Sequence, residues 1–222
     1  MASLINDVLG IDDLPMAELH ALKLLGEVYP VGDGFSPVDL PSLSITRAAA
    51  VAMIAPARFI ADRRTAAWVW SGYGGAPSPP QFCIDIRLRK RQPRRSRCEL
   101  REVVVSSADV VMLGGLPIMS ALRTAIDISR DAMCPDALAV QTLAALLPST
   151  GLSVEECIAE LDAQVSQAYC RTGRRRLVEA SAVIDAVDVV DRVDATDSIE
   201  HPVQMGRVTH LEHEPAHRKS VA

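Results

Sequence analysis

From Ser120 onward the hydrophobic pattern changes period, and this change constrains the fold more than any other feature of the chain. "SALRTAIDISRDA", "DALAVQTLAALL", "SVEECIAELDAQVSQAY" and "GRRRLVEASAVIDAVDVV" each space their apolar residues three and four apart, which predicts four amphipathic helices in succession. Upstream the pattern is shorter and mixed. "FCIDIRLRK" alternates, with Phe82, Ile84, Ile86 and Leu88 on one side and Cys83, Asp85, Arg87 and Arg89 on the other, as in a half-buried strand. "CELREVVVS" is expected to pair back on it as a hairpin with Pro93 in the turn, and "DVVMLGGLPIMS" to add short strands around Gly114-Gly115. Strands gathered ahead of a run of helices read as an α+β chain.

The first residues read as a separate small module. "LPMAELHALKLLGEV" predicts a helix with Leu14, Ala17, Ala21, Leu24 and Leu25 on its apolar face. Asp12 or Asp13 is expected to cap it, Pro15 to sit in its first turn and Gly26 to stop it. "GDG" (residues 32–34) then joins two short extended runs in a tight hairpin. A helix followed by a two-stranded wing is the closing part of a winged helix. Two further helices are expected: "SITRAAAVAMIAP", capped by Ser44 or Thr46, and "DRRTAAWVWSG", capped by Asp62. The chain therefore divides into a partial winged-helix-like module (1–41), a main domain (42–190) and a C-terminal tail expected to be mobile (191–222).

Charge is distributed unevenly. The formal net charge is -5, yet residues 83–104 alone carry eight basic and three acidic groups. Seven of the eleven residues from Arg87 to Arg97 are cationic: Arg87, Arg89, Lys90, Arg91, Arg94, Arg95 and Arg97. Such a run repels itself, and a polyanion relieves that cost through phosphate contacts and counterion release. The dominance of arginine favours fork-like phosphate contacts. No aromatic residue interleaves, so base stacking on single strands is not expected. Arg171, Arg174, Arg175 and Arg176 form a smaller cluster that would extend this surface if it folded beside it.

Other chemistries find little support. The five cysteines lack metal-binding spacing, and most read as small buried hydrophobes; Cys83 and Cys98 could approach each other across the hairpin. The most apolar stretch, "AAAVAMIAPARFIA", is interrupted by Pro56 and Arg58, and the first residues do not form a signal peptide, so a cytoplasmic protein without membrane contact is expected. No phosphate loop, dinucleotide fingerprint or nucleophile elbow occurs. His210, His213 and His217 read as part of a polar tail, and the aspartates at every third position from Asp185 to Asp197 as a solvated face. No cofactor, metal or catalysis is expected.

"DRRTAAWVWSG", the strand with its arginine-rich continuation, and "GGLPIMSALRTAIDISR" follow one another in an order that resembles the AbiEi-type antitoxins of type IV toxin–antitoxin systems. The resemblance runs from about Leu14 to about Asp188. It implies a winged helix joined to an α/β antitoxin domain, repression of the chain's own operon on double-stranded DNA, and a nucleotidyltransferase-like toxin as partner. The winged helix reads as shortened, with about thirteen residues ahead of its helix, and no nuclease-type domain follows. The recognition helix offers only His20 and Lys23, against Glu18 and Glu27, and the wing carries Asp33. The basic hairpin, Arg87–Arg97, is therefore expected to be the main DNA contact. The alternative is an interaction protein that acts on the toxin through its helical C-terminal half. Arg123 and Asp127, four apart, are expected to pair on one helix face, and Trp68 to pack in the core.

Overall fold

The computed structural model describes residues 7–88, 97–163 and 168–200, with backbone alone for Leu88 and for 188–200. Among them are seven α-helices and seven strands around a small mixed sheet, an α+β arrangement. The chain divides into one compact unit, Met1–Ala186, and a second, Val187–Ala222. The sheet, the cores and the groove described below belong to the first.

Helix α1 (Met16–Leu25) ends at Gly26, whose φ of +77° only glycine adopts cheaply, and leads into the hairpin β1 (Val28–Val31) and β2 (Gly34–Pro37). Gly32 and Asp33 form the two-residue turn, as the sequence predicts. Two details differ from expectation. Pro15 occupies the N-cap position and no side chain caps the helix; the Asp13 carboxylate instead accepts from the Gly10 amide at 2.9 Å. The predicted inner face is largely the outer one. Leu19 is fully buried against Val28 and Phe35, whereas Ala17 and Ala21 are exposed, as are Leu24 (89%) and Leu25 (75%). Apolar residues surround this helix, so period alone does not select the buried side. The hairpin does, by folding back over Leu19.

Helix α2 (Ser44–Ile54) stops before Pro56, with Leu43 rather than Ser44 or Thr46 at its N-cap position. The main sheet follows: β3 (Ile60–Ala61), α3 (Arg63–Ser71), β4 (Gln81–Asp85), a single 3₁₀ turn (Ile86–Leu88), β5 (Glu99–Val103), β6 (Val110–Leu113) and β7 (Leu116–Met119). Its strand order is β5-β4-β3-β7-β6. The β6–β7 hairpin turns at Gly114-Gly115 as predicted.

The basic segment is not the tip of a hairpin. β4 and β5 pair in parallel, with Cys83 opposite Arg101. Alternation reports which side a residue faces and carries no information about strand direction. Parallel neighbours need a crossover of about a dozen residues, and 86–98 supplies thirteen. Residues 89–96 of that crossover lie outside the described residues. β4 also departs from alternation. Phe82 and Cys83 are both fully buried and Ile84 nearly so, as in a strand covered on both faces, and Ile86 lies 39% exposed beyond its end. With parallel register, Cys98 precedes the paired residues and does not face Cys83, and the two form no disulfide.

The predicted helical run is present as α4 (Ala121–Arg130), α5 (Asp136–Thr150), α6 (Val154–Ala163) and α7 (Cys170–Glu200). Helix α3 joins two cores. Ala66, Trp68 and Val69 pack with the sheet and α2, while Ala67 packs with Ile126, Leu143, Leu147, Leu161 and Leu177 of the helical half. Among the described residues no single helix is long and apolar enough to cross a membrane.

Two buried arginines close helix ends. Arg47 donates to the carbonyls of Val69 (3.0 Å) and Trp70 (3.2 Å) at the C-terminus of α3. Arg176 donates to the Ser129 carbonyl in the last turn of α4, to the Asp131 and Cys134 carbonyls beyond it, and to Asp136 Oδ1. Carbonyls at a helix C-terminus lack internal partners and carry partial negative charge, so a guanidinium there satisfies both. Arg176 is 3% exposed and Arg174, which pairs with Asp162, is 53% exposed. Arg176→Met should therefore cost about 3 kcal/mol or more, through several buried acceptors left unpaired. Arg174→Ala should stay within about 0.5 kcal/mol. Urea unfolding of the two variants beside the parent measures both.

Candidate functional site

Asp62 stands between β3 and α3 and is completely buried. Its carboxylate accepts from the Arg63 amide at 2.8 Å, which makes it the predicted cap of α3. The same carboxylate receives both Nε and Nη2 of Arg101, from the middle of β5. Arg101 Nη2 also reaches Asp127 Oδ2 of α4 at 2.6 Å. Arg123 Nε shares that oxygen at 3.0 Å, so the predicted pairing of Arg123 with Asp127 is present within a larger network. Arg130 Nη2 takes Asp127 Oδ1 at 3.3 Å, and Arg123 Nη1 reaches Asp109 Oδ2 at 3.1 Å. One strand and two helices are thus held by a continuous chain of ion pairs.

The backbone sets these positions. Gln81, the first residue of β4, donates its amide to Thr65 Oγ1 and accepts from the Arg64 amide, which fixes the first turn of α3 against the sheet. Ser106 and Asp109 cap each other across a single 3₁₀ turn, and Ser120 caps α4. Thr124 donates to the Met119 carbonyl at 3.3 Å and is buried. Arg63, at the first position of α3, adopts φ +41°, which costs about 1 kcal/mol for a residue with a Cβ. Its guanidinium lies 3.5 Å from both Glu99 and Asp131, while its buried Nε has no hydrogen-bond partner.

The network is asymmetric. The side chains of Asp62 and Asp127 are 0% and 3% exposed, whereas Arg101 is 30% and Arg123 18% exposed. These two carboxylates lie behind, and the edges of Arg101 and Arg123 lie in front. The edges face an open groove of about 470 Å³, lined by Arg87, Arg101, Arg123 and Arg130 together with Asp109, Asp127 and Val103–Ser106. Burial lowers the Arg101 guanidinium, but the hydrogen bonds and charges of Asp62 and Asp127 outweigh it and hold its pKa above the ordinary value. Arg123 is raised in the same way by Asp127 and Asp109, against its own burial. Burial raises Asp109, yet the Ser106 hydrogen bonds and Arg123 leave it below the usual carboxylate range. Burial, reinforced by Asp62, pushes the Cys83 thiol far up, and burial with Glu156 nearby takes Cys157 to about 11, so neither is a ready nucleophile.

The residues singled out in the sequence are dispersed. Arg87, at the groove, pairs with Asp85 at 2.9 Å and donates to the Val105 carbonyl. Arg97 is exposed just ahead of β5. Arg89, Lys90, Arg91, Arg94 and Arg95 lie outside the described residues, as do His210, His213 and His217. His20 and Lys23 share one side of α1, and the His20 ring meets Phe35 edge-on at 5.6 Å. In the second basic cluster Arg174 and Arg175 pair with Asp162, Asp136 and Glu179, Arg176 is buried and Arg171 is exposed. Sequence reasoning missed Arg101, Asp109 and Arg130, and assigned Asp62 only a capping role. A lone arginine centred in "ELREV" was the available signal. Among the described residues no group of His, Cys, Asp and Glu is placed to hold a metal ion.

No protein-family model matches the chain, and no curated protein matches it in sequence.

Two outcomes follow from the network. Arg101→Met removes the two-pronged partner of the fully buried Asp62 and one of three arginines on Asp127, and should cost about 3–5 kcal/mol, measured by chemical denaturation. Asp109 titrates lower when folded than unfolded, so its contribution is present above about pH 4 and lost as pH falls through the folded value. Asp109→Asn should flatten that acid limb in thermal unfolding between about pH 5 and pH 2.

Proposed function

We propose that this chain is a non-enzymatic DNA-binding regulator of the type IV antitoxin kind, gripping DNA phosphates through the arginine-rich crossover from Arg87 to Arg97. The observation that carries this reading is the density of seven cations in eleven residues, placed between two parallel strands at the edge of the sheet. Its two ends adjoin Asp85, the last residue of β4, and Glu99, the first of β5, which are opposite Val103 and Gln81 in register. Like charges this dense along the chain repel one another, and a polyanion relieves that cost. The helix α1 and the β1–β2 hairpin have the order of the closing half of a winged helix, with His20 and Lys23 as its available cations. The resemblance to AbiEi-type antitoxins supports repression of the chain's own operon.

A second reading has one observation in its favour. Helix α1 presents Ala17, Ala21, Leu24 and Leu25 outward, an apolar stripe that suits a protein partner better than a phosphate backbone. In that reading the chain neutralises a nucleotidyltransferase-like toxin, and the docking face is α1 rather than the C-terminal helices. Leu24→Lys with Leu25→Lys would then abolish a complex that survives nuclease treatment.

Fluorescence anisotropy with a labelled duplex from upstream of the gene, beside a shuffled duplex, tests the leading reading. With about four to five phosphates contacted, log affinity should fall against log salt with a slope near about -4. Replacing Arg89, Lys90, Arg91, Arg94 and Arg95 with alanine should flatten that slope to near zero. An unchanged slope would move the contact elsewhere, and no binding to either duplex would leave the partner-protein reading.

A further inference from the structure

The groove between β5, the 103–109 segment and α4 has features that DNA binding by the crossover does not use. We propose that it is a separate site for a small phosphorylated molecule of nucleoside monophosphate size, held by Arg101, Arg123 and Arg87. The site shares Arg87 with the crossover, but the proposal stands on the groove itself and does not depend on the DNA reading.

Three observations support it. The first is preorganisation. Arg101 uses Nε and Nη2 on Asp62 and Asp127, Arg123 uses Nε and Nη1 on Asp127 and Asp109, and Arg87 uses Nε and Nη2 on Asp85 and the Val105 carbonyl. Among the described residues, Nη1 of Arg101, Nη2 of Arg123 and Nη1 of Arg87 have no acceptor. Arg101 and Arg87 are clamped along the Nε–Nη2 edge, Arg123 is held at Nε and Nη1, and each keeps donors for a ligand, which lowers the ordering cost of binding.

The second is the orientation of charge. Asp127 also lines the groove, but its Oδ2 accepts from Arg101 and Arg123, its Oδ1 accepts from Arg130, and its side chain is 3% exposed. Asp109 Oδ2 accepts from Arg123 and from the Ser106 amide. Asp127 lies behind Arg101 and Arg123, and Asp109, 23% exposed at the rim, is already engaged by Arg123 and Ser106, so the unengaged groups an incoming anion meets are N–H donors.

The third is size and recess. About 470 Å³ lies within the range of small-molecule sites, roughly 300–1,000 Å³. Arg101, Arg123 and Arg130 are 30%, 18% and 10% exposed, too recessed for the backbone of a duplex, which rests on projecting side chains. Val103, Val104 and Val105 supply an apolar wall for the remainder of the ligand. A phosphate ester with an attached ring system fits this combination better than inorganic phosphate alone.

Titration calorimetry of the full chain with adenosine monophosphate, inorganic phosphate and sodium sulfate tests the assignment. Adenosine monophosphate should bind saturably at one site per chain, at least about tenfold tighter than sulfate. Arg123→Lys keeps a charge and loses the fork, and should weaken binding about tenfold or more. If that variant fails to fold, Arg87→Ala, which leaves the buried carboxylates paired, carries the test with a weakening of about threefold to tenfold. Amide shifts in the NMR spectrum of the parent should concentrate at Val103–Ser106 and Asp109. The variant lacking the five cations between Arg89 and Arg95 should bind adenosine monophosphate like the parent; this separates the site from the DNA contact. Absence of saturable binding, equal response to sulfate, shifts confined to other segments, or dependence on those five cations would each overturn the proposal.

Discussion

The Asp62 carboxylate is the interaction on which the rest of this structure depends. It is fully buried, caps α3 and receives Arg101 from β5, so the helix that joins the two cores and the edge strand of the sheet are fixed by one group. A buried carboxylate is costly unless it is both paired and hydrogen-bonded. Here it is both. Asp127 repeats the arrangement from α4, sharing Arg101 and adding Arg123 and Arg130. The consequence is an orientation: carboxylates inside, guanidinium edges at the groove. The fold creates a cationic surface by burying its counterions rather than by adding positive charge, which agrees with a chain of net charge -5.

The same economy appears at the helix ends. Arg47 and Arg176 are arginines in positions where composition alone would place surface charge. Each instead satisfies the exposed carbonyls of a helix C-terminus, Arg47 at α3 and Arg176 at and just beyond the end of α4. An arginine count therefore overstates the cations available to a ligand. Once the paired residues are set aside, Lys23, Arg58, Arg97 and Arg171 are exposed cations among the described residues.

Much of the architecture was legible from local pattern. The four helices after Ser120, the Gly32-Asp33 and Gly114-Gly115 turns, the Asp62 cap and the Arg123–Asp127 pair all follow from short-range rules that a sequence states directly. The failures share one cause. Whether β5 runs parallel or antiparallel to β4, which side of α1 is buried, and whether Arg101 meets Asp62 are decided by residues distant in the chain. Alternation in "FCIDI" predicts a strand whichever way its neighbour runs. Helical period in α1 identifies two apolar sides, and only the hairpin selects between them. The site was half visible for the same reason: Asp62 and Asp127 stood out within their own segments, while Arg101, the residue that connects them, did so only as a lone arginine in a strand.

The central functional claim is that the crossover between β4 and β5 is where DNA is held. Hydrogen–deuterium exchange of the full chain, with and without a duplex from upstream of its gene, locates the contact without altering a residue. The account predicts slowed exchange across 86–98, with at most minor changes in α1 and the β1–β2 hairpin. Protection concentrated in α1, or absent throughout at duplex concentrations that saturate binding, would contradict it.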